Sequence, residues 1–320
     1  MAAVMMLSCT VTTTLPEIEG ACQLATENAV TLAPLQPLVV SDKAAFEISD
    51  HEFSQIHKLL LFKRGFDLGA YKDNCVRRRI AIRIRINHCE SVQEYCDMLI
   101  SEKNELDHLV KILTIHVSQF FRNLSTFEKL RTEIIPALFA TARQTGKKSL
   151  RFRSLGCSSG EEPYTLALIL AEQFPEETVE IPVTIDAIDL DTGILESAEK
   201  ALYNQDHLLE TPLHYIAKYF SEEGLQYRLS PSITGMVNFK HDNIFNDLLY
   251  TDCDLLLCRN VMIYFAREQQ NKVLANMARA VGKEGFLVLG KSEAILGESR
   301  NHFQTVCPVE RIYRSRNSSP

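Results

Sequence analysis

Near residue 150 the spacing of apolar side chains changes period, and that change limits what each part of the chain can become. From residue 46 to about residue 122, apolar positions recur every three or four residues, as on helices that bury one face. Ile48, Phe53, Ile56, Leu59, Leu60 and Phe62 mark one helix, with Ser49 or Asp50 placed to cap it. Val76, Ile80, Ile82, Ile84 and Ile86 mark a second; Tyr95, Met98, Leu99 and Leu106, Leu109, Ile112, Leu113 continue the helical pattern. After a linking helix near Phe127 to Ala142, short apolar runs alternate with helical stretches. Leu150 to Leu155 precedes Pro163 to Phe174, Val183 to Ile188 precedes Gly193 to Tyr203, and Asp254 to Cys258 precedes Arg267 to Val281, with Phe286 to Leu289 last. Strands alternating with helices predict an α/β domain built on a parallel, doubly wound sheet. Gln226 to Leu229 and Met236 to Lys240, around Pro231 and Gly235, predict a small β-hairpin inserted at about 224–240. The expected organisation is a leader at 1–42, an all-helical domain at 43–125 and the α/β domain at 126–316.

Several function classes drop out. No stretch approaches the roughly 18 uninterrupted apolar residues of a membrane span, so no membrane insertion is expected. Residues 1–42 contain no Lys, no Arg and no aromatic residue, which argues against a secretory signal or a mitochondrial transit peptide and predicts a flexible leader. Nine cysteines without a C-x-x-C pair indicate neither a disulfide framework nor a zinc site, and reduced thiols in a cytoplasmic protein are expected, with no metal. A formal net charge of −7 argues against general nucleic-acid binding. The charge is uneven: residues 1–150 carry 18 basic and 17 acidic side chains, residues 151–320 carry 16 and 24.

Three segments carry chemistry. The first strand runs into Gly156-Cys157-Ser158-Ser159-Gly160-Glu161-Glu162-Pro163, a glycine-bracketed turn that opens a helix where α/β sheets hold nucleotide-like ligands. Glu161 and Glu162 would repel a pyrophosphate, whereas S-adenosylmethionine has no phosphate and carries a cationic sulfonium and ammonium. A helix N-terminus favours acids in any case, so the plainer reading is that the pair caps it. The second strand ends in Asp186-Ala187-Ile188-Asp189-Leu190-Asp191, and Asp189 is placed to accept hydrogen bonds from both ribose hydroxyls. Arg259 and Asn260 close an apolar strand and need polar partners, one natural partner being a ligand in the crevice.

Taken together with Ser118-Gln119-Phe120-Phe121-Arg122, these segments resemble the chemotaxis receptor glutamate methyltransferases of the CheR type, over roughly residues 46–314. Gly160-Glu161-Glu162-Pro163-Tyr164 and Cys258-Arg259-Asn260-Val261-Met262-Ile263-Tyr264-Phe265 are its long, specific segments. The resemblance implies a Rossmann-like class I S-adenosylmethionine-dependent methyltransferase domain with a small β-subdomain, preceded by an all-helical N-terminal domain. It implies that His116, Ser118, Arg122, Glu162, Asp189, Asn243, Ile244, Arg259 and Asn260 bind the cofactor, with Glu162 on the methionine ammonium, Asp189 on the ribose and Asn243-Ile244 at the adenine. Arg122 would also face the incoming carboxylate and Tyr264 the transferred methyl, making these the catalytic pair. His116 stands where the family usually has Asn, and Lys291 where it more often has His or Ser. S-adenosylhomocysteine would be the product.

The implied chemistry is transfer of a methyl group to receptor glutamates. A glutamate of unperturbed pKa about 4.3 is already a carboxylate at pH 7, so it attacks without a general base. The alternative is a signalling module that binds S-adenosylmethionine with weak or no catalysis. Arg77, Arg78, Arg79, Arg83 and Arg85 crowd one predicted helix, three of them (Arg77, Arg78, Arg85) within about 100° of one another. Such a basic face fits the acidic cytoplasmic helices of methyl-accepting chemotaxis receptors, the expected partner of a monomeric enzyme; the plainer reading pairs it with local acids such as Asp73 and Glu90.

Overall fold

A computed structural model of the chain describes residues 47–114, 118–295 and 297–316; the expected leader at 1–42 and the candidate contact His116 lie outside the described residues. Four helices come first: α1 (Asp50–Arg64), α2 (Asp73–Ile86), α3 (Val92–Ser101) and α4 (Lys103–Thr114). Ser49 is the cap of α1: its hydroxyl accepts the Glu52 N–H, and the Glu52 carboxylate accepts the Ser49 N–H in return. The apolar stripes of the four helices meet in one cluster that includes Ile56, Leu60, Ile80, Ile84, Tyr95, Leu99 and Leu109, all fully buried.

Packing on several sides changes the reading of the α2 arginines. Arg77 donates to Asp50, Asp73 and the Ile48 carbonyl, and its guanidinium lies 4.4 Å from the Phe53 ring. Arg79 donates to the Leu113 carbonyl and sits 5.1 Å over the Tyr264 ring. Arg83 pairs with Glu105, which is 3% exposed and also accepts the Tyr95 hydroxyl. The expected five-arginine docking face is therefore corrected: only Arg78 and Arg85 of the five are exposed, alongside Ile82 and Ile86. Asp73 is one of the partners the sequence offered; Asp50 and Glu105 come from neighbouring helices.

A long helical stretch follows in three pieces: α5 (Leu124–Lys129), a π turn at Leu130–Ile134, and α6 (Ile135–Thr145). Pro136, in the first turn of α6, has no N–H to donate back along the helix, which is where the spiral widens. The strands are β1 (Leu150–Leu155), β2 (Val183–Asp189), β3 (Leu202–Asn204), β4 (Phe220–Glu223), β5 (Gln226–Leu229), β6 (Val237–His241), β7 (Cys253–Cys258), β8 (Val281–Leu289), β9 (Phe303–Cys307) and β10 (Ile312–Ser315). Seven form a sheet ordered β6-β2-β1-β7-β8-β10-β9. Its first five members run parallel, and β10 alone is reversed, antiparallel to both of its neighbours β8 and β9. Apolar clusters cover both faces, which explains the nearly uninterrupted apolar character of β7 and of the Phe286 to Leu289 part of β8.

The inserted hairpin differs from expectation. β5 pairs with β4 and β3 in a separate three-stranded antiparallel sheet, while β6 joins the large sheet beside β2. The hairpin turn is Gly224-Leu225, with Gly224 at φ +65°, and the helical turn Pro231–Thr234 then redirects the chain. Phe239 on β6 packs against Tyr164, 5.4 Å between ring centres, so this strand belongs to the main core.

If Arg83 serves folding, Arg83→Met leaves Glu105 charged and buried without its cation and destabilises the protein by about 3 kcal/mol in urea denaturation. A variant with wild-type stability would return Arg83 to the surface role.

Candidate functional site

An open cleft lies at the carboxyl ends of β1, β2 and β7, under residues from the helical part. It is lined by Ser118, Arg122, Glu162, Asp189, Asn243, Ile244, Arg259, Asn260 and Tyr264, so every described residue singled out as catalytic or cofactor-binding meets in one place. Lys291 is elsewhere: its ammonium bonds Ser125 at 3.0 Å and pairs with Glu310 at 3.3 Å.

Local constraints build the floor. Gly156 has φ +70°, and a Cβ there would come within 2.5 Å of Val261, so glycine is required where the β1 and β7 turns touch. The two adjacent glutamates of helix α7 (Glu161–Gln173) diverge. Glu161 is fully buried and turns from the cleft to accept from Ser159 at 2.6 Å and to meet His207 Nδ1 at 2.7 Å. That contact raises the His207 pKa above its ordinary value. Glu162 lines the cleft, accepting from Ser154 at 2.8 Å and from Arg259 at 3.1 Å. Asp189 accepts the backbone N–H groups of Ser158 and Asp191, at 2.9 and 3.1 Å. Two carboxylate oxygens offer about four acceptor positions, so each acid keeps capacity for a ligand. Asp191 is the helix cap, accepting the Ile194 N–H.

Arg259 is 6% exposed and ties the walls together. Besides Glu162, it donates to the Arg122 carbonyl at 2.7 Å and to the Asn123 side chain at 2.9 Å, with its guanidinium 5.2 Å from the Phe127 ring. Arg122 stands between two residues with left-handed backbone, Phe121 at φ 54° and Asn123 at φ 64°. Such strain costs about 1–3 kcal/mol per residue and persists only when neighbours fix it. Here Thr165 accepts the Phe121 N–H, and Glu210 accepts the Asn123 N–H and the Gln119 side chain. Asn260 is also left-handed, at φ 62°, and the buried Glu293 carboxylate accepts the N–H groups of Asn260, Val261 and Gly290. Burial outweighs these bonds and pushes the Glu293 carboxyl upward. A Cβ on Gly290 would approach Asn260 N and Glu293 Oε2 to 2.8 Å, so this clamp also depends on glycine.

Sequence reasoning missed Glu210, Glu293, His207 and Tyr71. Tyr71 lines the cleft from the helical part, where the Lys72 N–H donates to the Tyr264 carbonyl at 2.8 Å and the Ala266 N–H to the Ala70 carbonyl at 2.9 Å. No spacing rule signals them; a buried charged residue in Gly290-Lys291-Ser292-Glu293 was the one available hint.

A seven-stranded sheet of this order, with a glycine turn after β1, an acid after β2 and no phosphate-binding charge pattern, defines an S-adenosylmethionine-dependent methyltransferase. The S-adenosylmethionine-binding domain model of the CheR methyltransferases matches residues 116–311, and their all-alpha domain model matches residues 51–114. The chain belongs to the CheR methyltransferase family. Among relatives, a chemotaxis protein methyltransferase of Listeria monocytogenes is 32% identical over 251 residues, 78% of this chain and 93% of that protein. One of Borreliella burgdorferi is 28% identical over 257 residues, 78% of this chain and 90% of its own length. An uncharacterised 104.1 kDa protein of Rhodobacter capsulatus is 31% identical over 245 residues, 77% of this chain but 25% of that protein. The donor set fits the cofactor: acids face where cationic groups would lie, and S-adenosylmethionine is the cofactor of this family.

The His207–Glu161 pair makes stability depend on pH. Because the folded-state pKa is raised, its contribution is complete below about pH 6.5 and disappears as pH rises through the folded value. Wild type should exceed His207→Gln in melting temperature most at pH 6, with the gap shrinking toward pH 9; a pH-independent gap would refute the charged pair.

Proposed function

We propose that the protein transfers the methyl group of S-adenosylmethionine to glutamate side chains on the cytoplasmic helices of chemotaxis receptors, forming γ-glutamyl methyl esters. The observation that carries this reading is the strained turn that fixes Arg122 on the wall of a cleft that Glu162, Asp189 and Asp242 also line, with Arg259 already paired to Glu162. A positioned cation in an acidic cleft suits an acceptor that arrives as a carboxylate.

S-adenosylmethionine supplies an electrophilic methyl on a sulfonium. In this reading Glu162 holds the ammonium of its methionine part, Asp189 the ribose, and Asn243-Ile244 the adenine. Ser118 and Asn260 line the remaining wall, and Arg259 acts mainly by holding Glu162 and the Arg122 turn in place. Arg122 aligns the acceptor oxygen and Tyr264 confines the methyl, so that the new O–C bond forms in line as the S–C bond breaks. The acceptor's charge is neutralised in that step, so tight pairing with Arg122 would stabilise the ground state; orientation is the useful contribution. No protein base is needed. On the outside, Arg78 and Arg85 with Ile82 and Ile86 form the mixed basic and apolar face offered to an acidic receptor helix.

The test is transfer of tritiated methyl to receptor-containing membranes, released by base as methanol. Arg122→Ala should lower kcat/KM about 100-fold, equivalent to about 2.7 kcal/mol; full methylation by this variant would refute its role. Arg78→Glu with Arg85→Glu should raise the KM for receptor about tenfold and flatten its salt dependence, while S-adenosylhomocysteine affinity stays at the wild-type value. Unchanged receptor kinetics would remove the docking face.

A further inference from the structure

Tyr71 belongs to the helical part of the chain, yet it lines the cleft at the end where Asp189, Asn243 and Ile244 lie. Its ring is immobilised. Phe66 stacks on it at 5.0 Å between centres, and Phe265 and Phe245 meet it edge-on at 5.4 and 6.2 Å. Its backbone forms an antiparallel bridge with Phe265, flanked by the Lys72 and Ala266 hydrogen bonds. So firmly held a side chain loses little further freedom when a ligand arrives.

The hydroxyl is the unusual part. Among the described residues it has no protein hydrogen-bond partner, and it opens on the cleft, where water or a ligand can accept its hydrogen bond. Burial, with the Asp189 and Asp67 charges adding to it, raises its pKa, so it remains a protonated donor. Asp189 is the opposite case, an acceptor with capacity beyond its two backbone donors. A ribose diol has both hydroxyl protons and oxygen lone pairs to satisfy.

Resting on the assignment of Asp189 to the ribose, we propose that Tyr71 is a further cofactor-binding residue, its hydroxyl donating to a ribose oxygen whose own proton goes to Asp189. The helical part then supplies one wall of the cofactor site and is more than a receptor-docking platform. Cofactor binding and the seating of Tyr71 against Phe265 become one event, because a displaced helical part withdraws a ligand from the ribose.

The experiment is calorimetric titration of the full chain with S-adenosylhomocysteine and with its 2′-deoxy and 3′-deoxy analogues, using wild type and Tyr71→Phe. The phenylalanine keeps the ring contacts, so the ligand-free melting temperature should be unchanged. The expected results are a five- to tenfold weaker Kd for S-adenosylhomocysteine in Tyr71→Phe and, for one deoxy analogue, equal affinity in both proteins, since the paired group is already missing. A Kd within twofold of wild type, or losses that multiply for both analogues, would overturn the proposal. A wild-type protein that fails to bind S-adenosylhomocysteine would instead overturn the cofactor site itself, and Tyr71 with it.

Discussion

Arg259 is the contact on which the site depends. Its guanidinium is buried, and desolvating such a charge is tolerable only when its donors are matched. The matches come from two segments: the start of α7, which supplies the Glu162 carboxylate, and the strained turn, which supplies the Arg122 carbonyl and the Asn123 side chain. The same side chain therefore pairs with an acid of the cleft and fixes the backbone that carries Arg122. The turn is costly by itself, with Phe121 and Asn123 both left-handed, and Thr165 and Glu210 share in holding it. Glu162 and the Arg122 turn are thus mechanically one unit.

Below Arg259 the pattern repeats with reversed charge. Glu293 is a buried carboxylate matched by three backbone N–H groups, and it sets the conformation of Asn260, the residue after Arg259. Glu161 turns its charge toward His207 and away from the cleft. Three acids within this region therefore have distinct tasks: Glu162 faces the ligand, Glu161 braces the small sheet segment, and Glu293 shapes the β7 turn.

What the sequence made legible was local. The switch of apolar period located β1, β2, β7 and β8 and their helices, because each element's burial pattern is written within a few residues of itself. The Gly156 to Pro163 turn and Asp189 were readable for the same reason: their place at strand ends follows from the strand. Partners distant in sequence were not readable. Arg259 and the Arg122 carbonyl are 137 positions apart, and Asn260 and Glu293 are 33 apart. The arginines of α2 were misjudged through this blindness, since Glu105 and the Leu113 carbonyl reach them only after the helices pack. The hairpin was misplaced because β5 and β6 look alike as short runs, while the deciding signal, Gly224 in a two-residue turn, favoured pairing backward with β4.

The distribution of charge now has a physical account. An acidic cleft suits a cationic cofactor but would repel a carboxylate acceptor unless the acids were locally countered. Arg259 counters Glu162, and two N–H groups stabilise Asp189, which in the proposed reaction leaves Arg122 to meet the acceptor. The backbone that carries Arg122 is fixed by Arg259 whatever the acceptor does, so its place does not depend on pairing with the acceptor. That separation of position from attraction suits the proposed transfer: a carboxylate acceptor would lose its charge as the ester forms, and any attraction present only before that moment would raise the barrier.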